Sequence, residues 1–578
     1  MSVLSNEWRN VTRKAPRVNS ERLILALLVL LIGLLSVAPL MRLVWTAIAP
    51  NGVPDIARLT RLLASDRVLI ASGNTLLIAL SSTLISVVLG TAAAWLVALS
   101  DLRAKTAWVF AFILPLMIPP QVTALAWLQA LAPSSPLALL FATLELPWFA
   151  PGEQPLYTLT GIVLLLGTHN APLVFLTVRA GLRRLPADLV EAAQASGASR
   201  ARILFTIVLP LARPAIFAGA ALTFVAAAGN FGIQAMLGIP ARVPTLITLV
   251  YQQLNGIGPS ALPNTAVYAL LIAVITLAGM AASAWLGGRH DVRVNGAPRL
   301  WQQSLGRGRM AVEGVAWLWM ALTLLLPLSA LLITALTSGF GQALSWKTLT
   351  LENFRAALWG YPAVRQAFLT SLGLTTLAAL ILTVCALFHA YFLSWRRTKL
   401  VRGLWLASEL TYALPGIVTG VAAMLFFLRP LPIVNVSLYG TVWIILAAYL
   451  ANFLALVLRP TLAGFAQLEP ALDEAARLCG AGFLRRMRDI LLPLAAPSAL
   501  AGSVLVFLTA LNEIQVSVLL VTSQTQTIGP TIVFLDEGGS ASLAAAVGCL
   551  MIVVVCLLMA VATRLTRRLP HGILPWQA

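Results

Sequence analysis

The chain has 578 residues, of which 59% are apolar and 10% charged, with a mean hydropathy of +0.90. A soluble domain is about half apolar and about a quarter charged, so a soluble enzyme, a disordered tail and a nucleic-acid-binding domain are excluded and an integral membrane protein is indicated. Lys and Arg number 39 against 20 Asp and Glu, a net charge of +19; in a membrane chain such an excess is first a topology signal, because basic residues stay on the cytoplasmic side.

A helix needs about 20 mainly apolar residues to cross the hydrocarbon core. Twelve stretches qualify: 22–49, 69–100, 106–133, 158–180, 213–238, 264–288, 311–338, 365–395, 402–428, 433–460, 496–523 and 541–565. The Pro and Gly inside several of them are tolerated in membrane helices. The run 137–146 is too short to span and reads as a loop helix. At the N-terminus, Arg9, Arg13, Lys14 and Arg17 precede an apolar stretch. That stretch outruns a signal-peptide core and lacks a clear small-residue cleavage site, so it reads as a retained first helix. With the N-terminus cytoplasmic, 30 of the 39 Lys and Arg fall on that side, eight fall opposite, and Arg42 lies within the first span. Both termini are therefore expected in the cytoplasm. Cys385, Cys479, Cys549 and Cys556 form no C-x-x-C pair and read as small buried residues.

An internal repeat organises the chain. At a spacing of 283 residues, 191–224 and 474–507 share 16 of 34 positions without a gap. Upstream, Pro119 with Val122 and Thr123 echoes Pro415 with Val418 and Thr419 at a spacing of 296. An even number of spans per copy keeps the two copies parallel, unlike inverted repeats. The expected fold is an all-α integral membrane protein with twelve transmembrane helices in two parallel six-helix repeats. Its expected parts are a cytoplasmic N-terminal segment 1–21, a first repeat 22–288, a basic cytoplasmic linker 289–310, a second repeat 311–565 and a cytoplasmic tail 566–578.

The repeated segment lies in a cytoplasmic loop between the fourth and fifth span of each half. Pro186 or Pro470 precedes a short helix carrying Glu191-Ala192-Ala193 or Glu474-Ala475-Ala476, whose small residues allow close backbone approach. Gly197 and Gly480 follow where a helix could end at positive φ. A second short helix carries Arg200 and Arg202, or Arg485, Arg486 and Arg488, and is expected to end at Leu209-Pro210 or Leu492-Pro493. Such a bracket on the membrane surface is built to dock on something.

At these residues the chain resembles the permeases of binding-protein-dependent ABC importers, whose EAA loop has the pattern E-A-A-x-x-x-G followed by I-x-L-P. Both copies here are complete: Glu191, Ala192, Ala193, Gly197, Ile207, Leu209 and Pro210, then Glu474, Ala475, Ala476, Gly480, Ile490, Leu492 and Pro493. The fused layout and the stretch Ala510-Leu511-Asn512-Glu513 resemble the ferric-iron branch, which also includes thiamine and phosphonate members. The resemblance implies a subunit of the bacterial inner membrane, with both EAA loops acting as coupling helices on cytoplasmic ABC ATPase subunits, in two copies. A periplasmic or lipid-anchored solute-binding protein would deliver the substrate, and the pathway would alternate between outward and inward openings. Ferric iron is the first choice of substrate, ahead of thiamine, phosphonate or polyamine. By this likeness Glu191 and Glu474 contact the ATPase, Gly197 and Gly480 form the bend, and Pro210 and Pro493 set the exit.

The chain shows no ATPase site of its own. A P-loop needs Lys after Gly, and none of Lys14, Lys105, Lys347 and Lys399 follows a Gly. No catalytic cluster and no metal-ligating motif is found, and no cofactor is expected beyond the ATP and Mg used by the partner. The competing class is a major-facilitator-type secondary transporter, which also has twelve spans in parallel halves but has no counterpart to the repeated loops.

Charged residues inside spans are costly and point to function. Glu409 lies in the ninth predicted span and Glu513 in the eleventh, where the repeat aligns Glu513 with Asn230. Asn230, Glu513 and Glu409 are the expected pathway residues; the competing reading is interhelical packing through hydrogen bonds. Asn74, His169 and Asn170 are further polar residues in apolar spans.

Overall fold

The computed structural model describes residues 20–143, 154–183, 187–256, 258–288, 304–430 and 435–566. Residues 1–19, the end of the loop helix at 144–146, Pro186, the linker up to residue 303, residues 433–434 and the tail beyond 566 lie outside the described residues.

The protein is all-α, and the described residues contain no strand, only an isolated bridge between Thr337 and Leu349. Eleven helices are long and apolar enough to cross a membrane, or twelve when the bent pair Lys399–Ala413 and Gly416–Phe427 counts as one span. In the first repeat the spans are Ser20–Ile48, Asp66–Leu99, Pro120–Leu140 with the shorter apolar helix Lys105–Met117 before it, Leu159–Leu182, Ala201–Ala228 and Ala261–Gly287. In the second they are Gly306–Ala335, Pro362–Arg396, the bent pair, Val442–Phe465, Phe483–Leu511 and Ala541–Val561. We number them spans 1–12.

Four predicted spans are not the straight helices expected. Spans 3 and 9 break where a proline follows an extended residue: Ile118 (φ −86°, ψ 130°) before Pro119, and Leu414 (φ −82°, ψ 142°) before Pro415. Proline excludes the helical conformation from the residue before it, and span 9 bends there by 113°. Spans 5 and 11 start earlier than predicted and stop sooner. Helix runs from Arg200 to Gly229 and from Phe483 to Leu511, then breaks at Asn230 and at Asn512. No helix ends at Leu209-Pro210 or Leu492-Pro493. Each proline instead follows a wide, π-type turn, 204–208 or 487–491. The same device precedes Pro39 in span 1 and Pro327 in span 7. A proline inside a regular α-helix clashes with the carbonyl four residues back; a wider turn moves that carbonyl aside.

Each repeat's first span is exchanged onto the other repeat. Span 1 packs on Gly416–Phe427 and on span 6, while span 7 packs on Pro120–Leu131 and on span 12. Polar clamps fasten both exchanges on the face that carries the repeated loops. Arg396 donates to Glu21 at 2.6 Å. Arg309 pairs with Asp101, which also accepts from the Leu305 N–H at 2.9 Å, and Glu313 accepts from the Arg103 N–H at 2.9 Å.

Within each repeat, spans 4 and 5, like 10 and 11, meet at glycines in matching positions. A Cβ at Gly181 would stand 2.6 Å from the Ala215 Cβ, and one at Gly464 2.6 Å from the Ser498 Oγ. At Gly219 it would stand 2.5 Å from the Thr177 Oγ1, and at Gly502 2.9 Å from the Val457 Cα. Small residues let membrane helices approach closely enough to gain packing energy where no hydrophobic drive exists between helices. Cys385 and Cys549 are half-buried, but Cys479 and Cys556 are exposed, contrary to the expectation of burial.

Gly502→Leu should destabilise the detergent-solubilised protein by about 1–3 kcal/mol or more through overpacking. Gly373→Leu, at a position with nothing within 4 Å of the added Cβ, should stay within about 0.5 kcal/mol of the parent. Thermal unfolding of the two variants checks this.

Candidate functional site: two surface loops, a junction of broken helices and a pocket on the opposite face

The two repeated loops have the same backbone. The first loop helix, Ala187–Ala195, carries exposed Glu191 and Ala192, with Ala193 half-buried; the second, Pro470–Leu478, presents Glu474, Ala475 and Ala476 in the same way. Both end on a left-handed glycine, Gly197 at φ +78° and Gly480 at φ +77°. The C-terminal bonds also match. Gly197 N–H donates to Gln194 O at 2.9 Å and Ala198 N–H to Ala193 O at 3.0 Å; Gly480 N–H donates to Arg477 O at 2.9 Å and Ala481 N–H to Ala476 O at 3.0 Å. This is a Schellman-type stop, which needs a residue without a Cβ penalty at positive φ. Leu209-Pro210 and Leu492-Pro493 lie directly after the wide turns, nine residues into the helices that follow each loop.

The four helix breaks gather where the repeats meet. A Cβ at Gly229 would stand 2.7 Å from the Pro415 Cβ, so the break of span 5 abuts that of span 9. Asn512 Nδ2 donates to Met117 O at 2.9 Å, joining the break of span 11 to that of span 3. Within repeats, Gly232 lies against the Gln121 backbone, and the Gly416 N–H donates to Gln515 Oε1 at 2.9 Å.

Asn230 and Glu513 are equivalent in place and in task. Asn230 Oδ1 accepts from the Ile233 N–H at 2.9 Å. Glu513 accepts from the Val516 N–H at 2.6 Å and the Ser517 N–H at 3.1 Å. Each caps the helix that restarts after its break, which supplies orphan N–H groups. Their surroundings hold polar atoms that a search for charge does not detect. Gln121 and Gln234 are fully buried; both amide atoms of Gln121, Gln234 Oε1 and Asn512 Oδ1 have no hydrogen-bond partner. Buried unpaired amides are rare and costly. The signal that could have found Gln121 is its place two residues after the repeated proline Pro119, and that of Gln515 its place two residues after Glu513.

Glu409 is not brought to this junction as a free carboxylate. Arg459 holds it through two bonds, Nε to Oε1 at 3.2 Å and the guanidinium NH2 to Oε2 at 2.5 Å, and stacks over Tyr412 at 4.9 Å. Arg459 lies within Val442–Phe465, so the pair ties span 9 to span 10. Asn74 donates to Pro244 O at 2.8 Å. His169 and Asn170 are buried on span 4, and His169 lines a cavity of about 30 Å³ against Trp319 and Thr323 of span 7. Among the described residues, no group of three His, Cys, Asp or Glu is placed to hold a metal ion.

On the face opposite the loops, a cavity of about 440 Å³ opens between the repeats, with Tyr251, Asn255, Tyr439, Thr522, Ser523 and Gln526 among its lining. Its walls include two short helices, Leu246–Leu254 and Ile528–Glu537, whose first N–H groups are received by hydroxyls in matching places. The Leu246 N–H donates to Thr75 at 2.9 Å and the Ile528 N–H to Ser371 at 3.0 Å. Beside this pocket Tyr251 hydrogen-bonds Glu537. Burial, and then the neighbouring Glu537 charge, push the Asp536 carboxyl up to about 6.

Two parallel membrane repeats, each with a broken third and fifth span and a surface loop of the same backbone form, define a duplicated membrane-transport component. Comparison with known proteins agrees. The chain matches the family described as "Binding-protein-dependent transport system inner membrane component" over residues 86–295 and again over 383–571, and it belongs to that family. It is 29% identical over 420 residues, 71% of this chain and 72% of the relative, to the probable ABC transporter permease protein y4fN of Sinorhizobium fredii. It is 26% identical over 447 residues to the ferric transport system permease protein FbpB of Actinobacillus pleuropneumoniae, covering 76% of this chain but only 63% of that relative. The molybdenum transport system permease protein ModB of Haemophilus influenzae is 30% identical over 239 residues, 41% of this chain and 96% of the relative. The chain is thus an inner-membrane component of a binding-protein-dependent transport system, and the secondary-transporter alternative falls.

The raised Asp536 group carries a sign. A carboxyl whose folded value lies above the unfolded one favours folding while protonated, and that stabilisation is lost as pH rises from about 4 to about 6. Asp536→Asn should therefore melt higher than the parent at pH 8 and converge with it at pH 4, as read by thermal unfolding at the two pH values.

Proposed function

We propose that the chain is the translocation subunit of an ATP-driven importer, coupled to separate cytoplasmic ATPase subunits, one at each repeated loop. The observation that carries this reading is the pair of loops with matching caps and exposed Glu-Ala faces on one side of the junction of broken helices. That side is assigned to the cytoplasm with both termini, and the outer pocket then faces the solute-binding protein. ATP and Mg act in the partner, and this chain carries the motion. Glu191 and Glu474 meet the ATPase, Gly197 and Gly480 set the angle of each loop, and Leu209-Pro210 and Leu492-Pro493 lie where the loops join the moving spans.

The junction of broken helices is the gate in this reading. Asn230 and Glu513 hold the restart of each broken helix, and the unpaired amides of Gln121, Gln234 and Asn512 gain partners when the gate hydrates or a solute passes. Glu409, held by Arg459, acts as a strut between spans 9 and 10. The cargo is ferric iron. The buried carboxylate Glu513 at the junction suits a cation, and similarity to the ferric permease runs across both repeats. The molybdate-type relative covers less than half of the chain.

Replacing Glu191 and Glu474 together by Ala should lower ATP-driven uptake by about tenfold or more, the loss of a charged hydrogen bond at each loop. Uptake at the parental rate would overturn the coupling assignment. In proteoliposomes supplied with the partner ATPase and a ferric-binding solute-binding protein, radiolabelled ferric iron should accumulate, and with molybdate- or 2-aminoethylphosphonate-binding proteins those solutes should not. Glu513→Gln should reduce that uptake by about tenfold; unchanged rate and affinity in a folded transporter would remove Glu513 from the pathway.

A further inference from the structure

The two loops share a backbone but are fastened by different chemistry. In the second repeat Asp473 is buried on the inner face of the loop helix. It pairs with buried Arg486 at the base of span 11 and with Arg477 at 2.7 Å. Arg477 in turn donates to the Tyr391 hydroxyl, at the end of span 8, at 3.0 Å. Tyr391 is fully buried in an aromatic cluster with Phe392, Trp395 and Phe483. At the matching positions of the first repeat stand Val190 and Ile203, 3% and 1% exposed. Gln194 stands exposed in place of Arg477. At the spacing that relates spans 2 and 8, Trp95 replaces Tyr391, and its indole N–H has no partner.

An apolar contact is non-directional and lets two surfaces slide. A buried carboxylate shared by two guanidiniums fixes distance and angle, because any slip leaves a buried charge unpaired. The second loop is therefore held as one body with the bases of spans 8 and 11, whereas at the matching described positions the first loop makes an apolar contact through Val190 and Ile203. We infer that the two coupling loops are mechanically unequal, and that Asp473, Arg486, Arg477 and Tyr391 are positioning residues that make the second loop the rigid lever of the gate. This rests on the proposed coupling to an ATPase.

The test uses the full chain purified with its ATPase in lipid nanodiscs, with Cys479 and Cys556 replaced by Ser. Spin labels are placed at Ser260 and Ser523, exposed on the outer side in different repeats. The readout is the change in label separation on ATP–vanadate trapping, divided by the amount of ATPase bound, so that loss of the partner is scored separately. The parent complex should widen. The double variant Asp473→Val with Arg486→Ile, which transplants the first repeat's apolar contact, should lose at least half of that change. Tyr391→Phe, which keeps the aromatic packing and removes one hydroxyl, should lose a smaller part. Full widening in both variants overturns the inference, since the network then only fills space. A parent complex that binds ATPase but does not widen overturns the underlying coupling reading, and the inference with it.

Discussion

The structure depends on one constraint: no water within the hydrocarbon core can satisfy a broken helix. Spans 3, 5, 9 and 11 are all interrupted inside apolar runs, so each interruption must find its partners in protein. They find them in one another. The break of span 5 presses on that of span 9, the break of span 11 bonds that of span 3, and Asn230 and Glu513 cap the helices that restart. The exchanged first spans wrap this junction from outside, and glycines hold spans 4 and 10 tight against the helices that carry it. A junction made of breaks is also the place where a small rotation can open a path, because its hydrogen bonds come from caps and side chains rather than from continuous helix.

Duplication gives the protein its frame, and divergence gives its halves different characters. Buried or membrane-embedded charge is concentrated in the second repeat. Glu513 stands where the first has Asn230, Asp473 and Arg486 where it has Val190 and Ile203, and Glu409 with Arg459 where it has Ile113 and Leu176. Each of these charges except Glu513 is neutralised by a partner a few residues or one helix away. Glu513 has no guanidinium partner and is held by neutral donors, the Val516 and Ser517 N–H groups among them, which sets it apart from the struts.

The sequence showed the class of fold and the docking loops because their signals are local. Long apolar runs, the spacing between copies, and a glycine at a fixed distance from Glu-Ala-Ala can each be read without knowing what lies nearby. It misjudged the breaks, since the apolar run of a span continues through Pro119, Asn230, Pro415 and Glu513 even though the helix does not. Arg459 sits at the end of a predicted span, and a charge at the end of an apolar run is ambiguous until its partner is known.

By itself, then, the chain determined that it spans a membrane, that it is two parallel copies, and that each copy presents the same bracket on the same face. These follow from periodicity and composition along one dimension. Only the tertiary structure decided that the four breaks meet, that Gln121, Gln234 and Asn512 join the junction, that Glu409 is taken by Arg459, and that the two brackets are fastened differently. Those are contacts between residues tens to hundreds of positions apart, and whether a polar side chain is a cap, a strut or an unpaired group depends on what the fold sets against it.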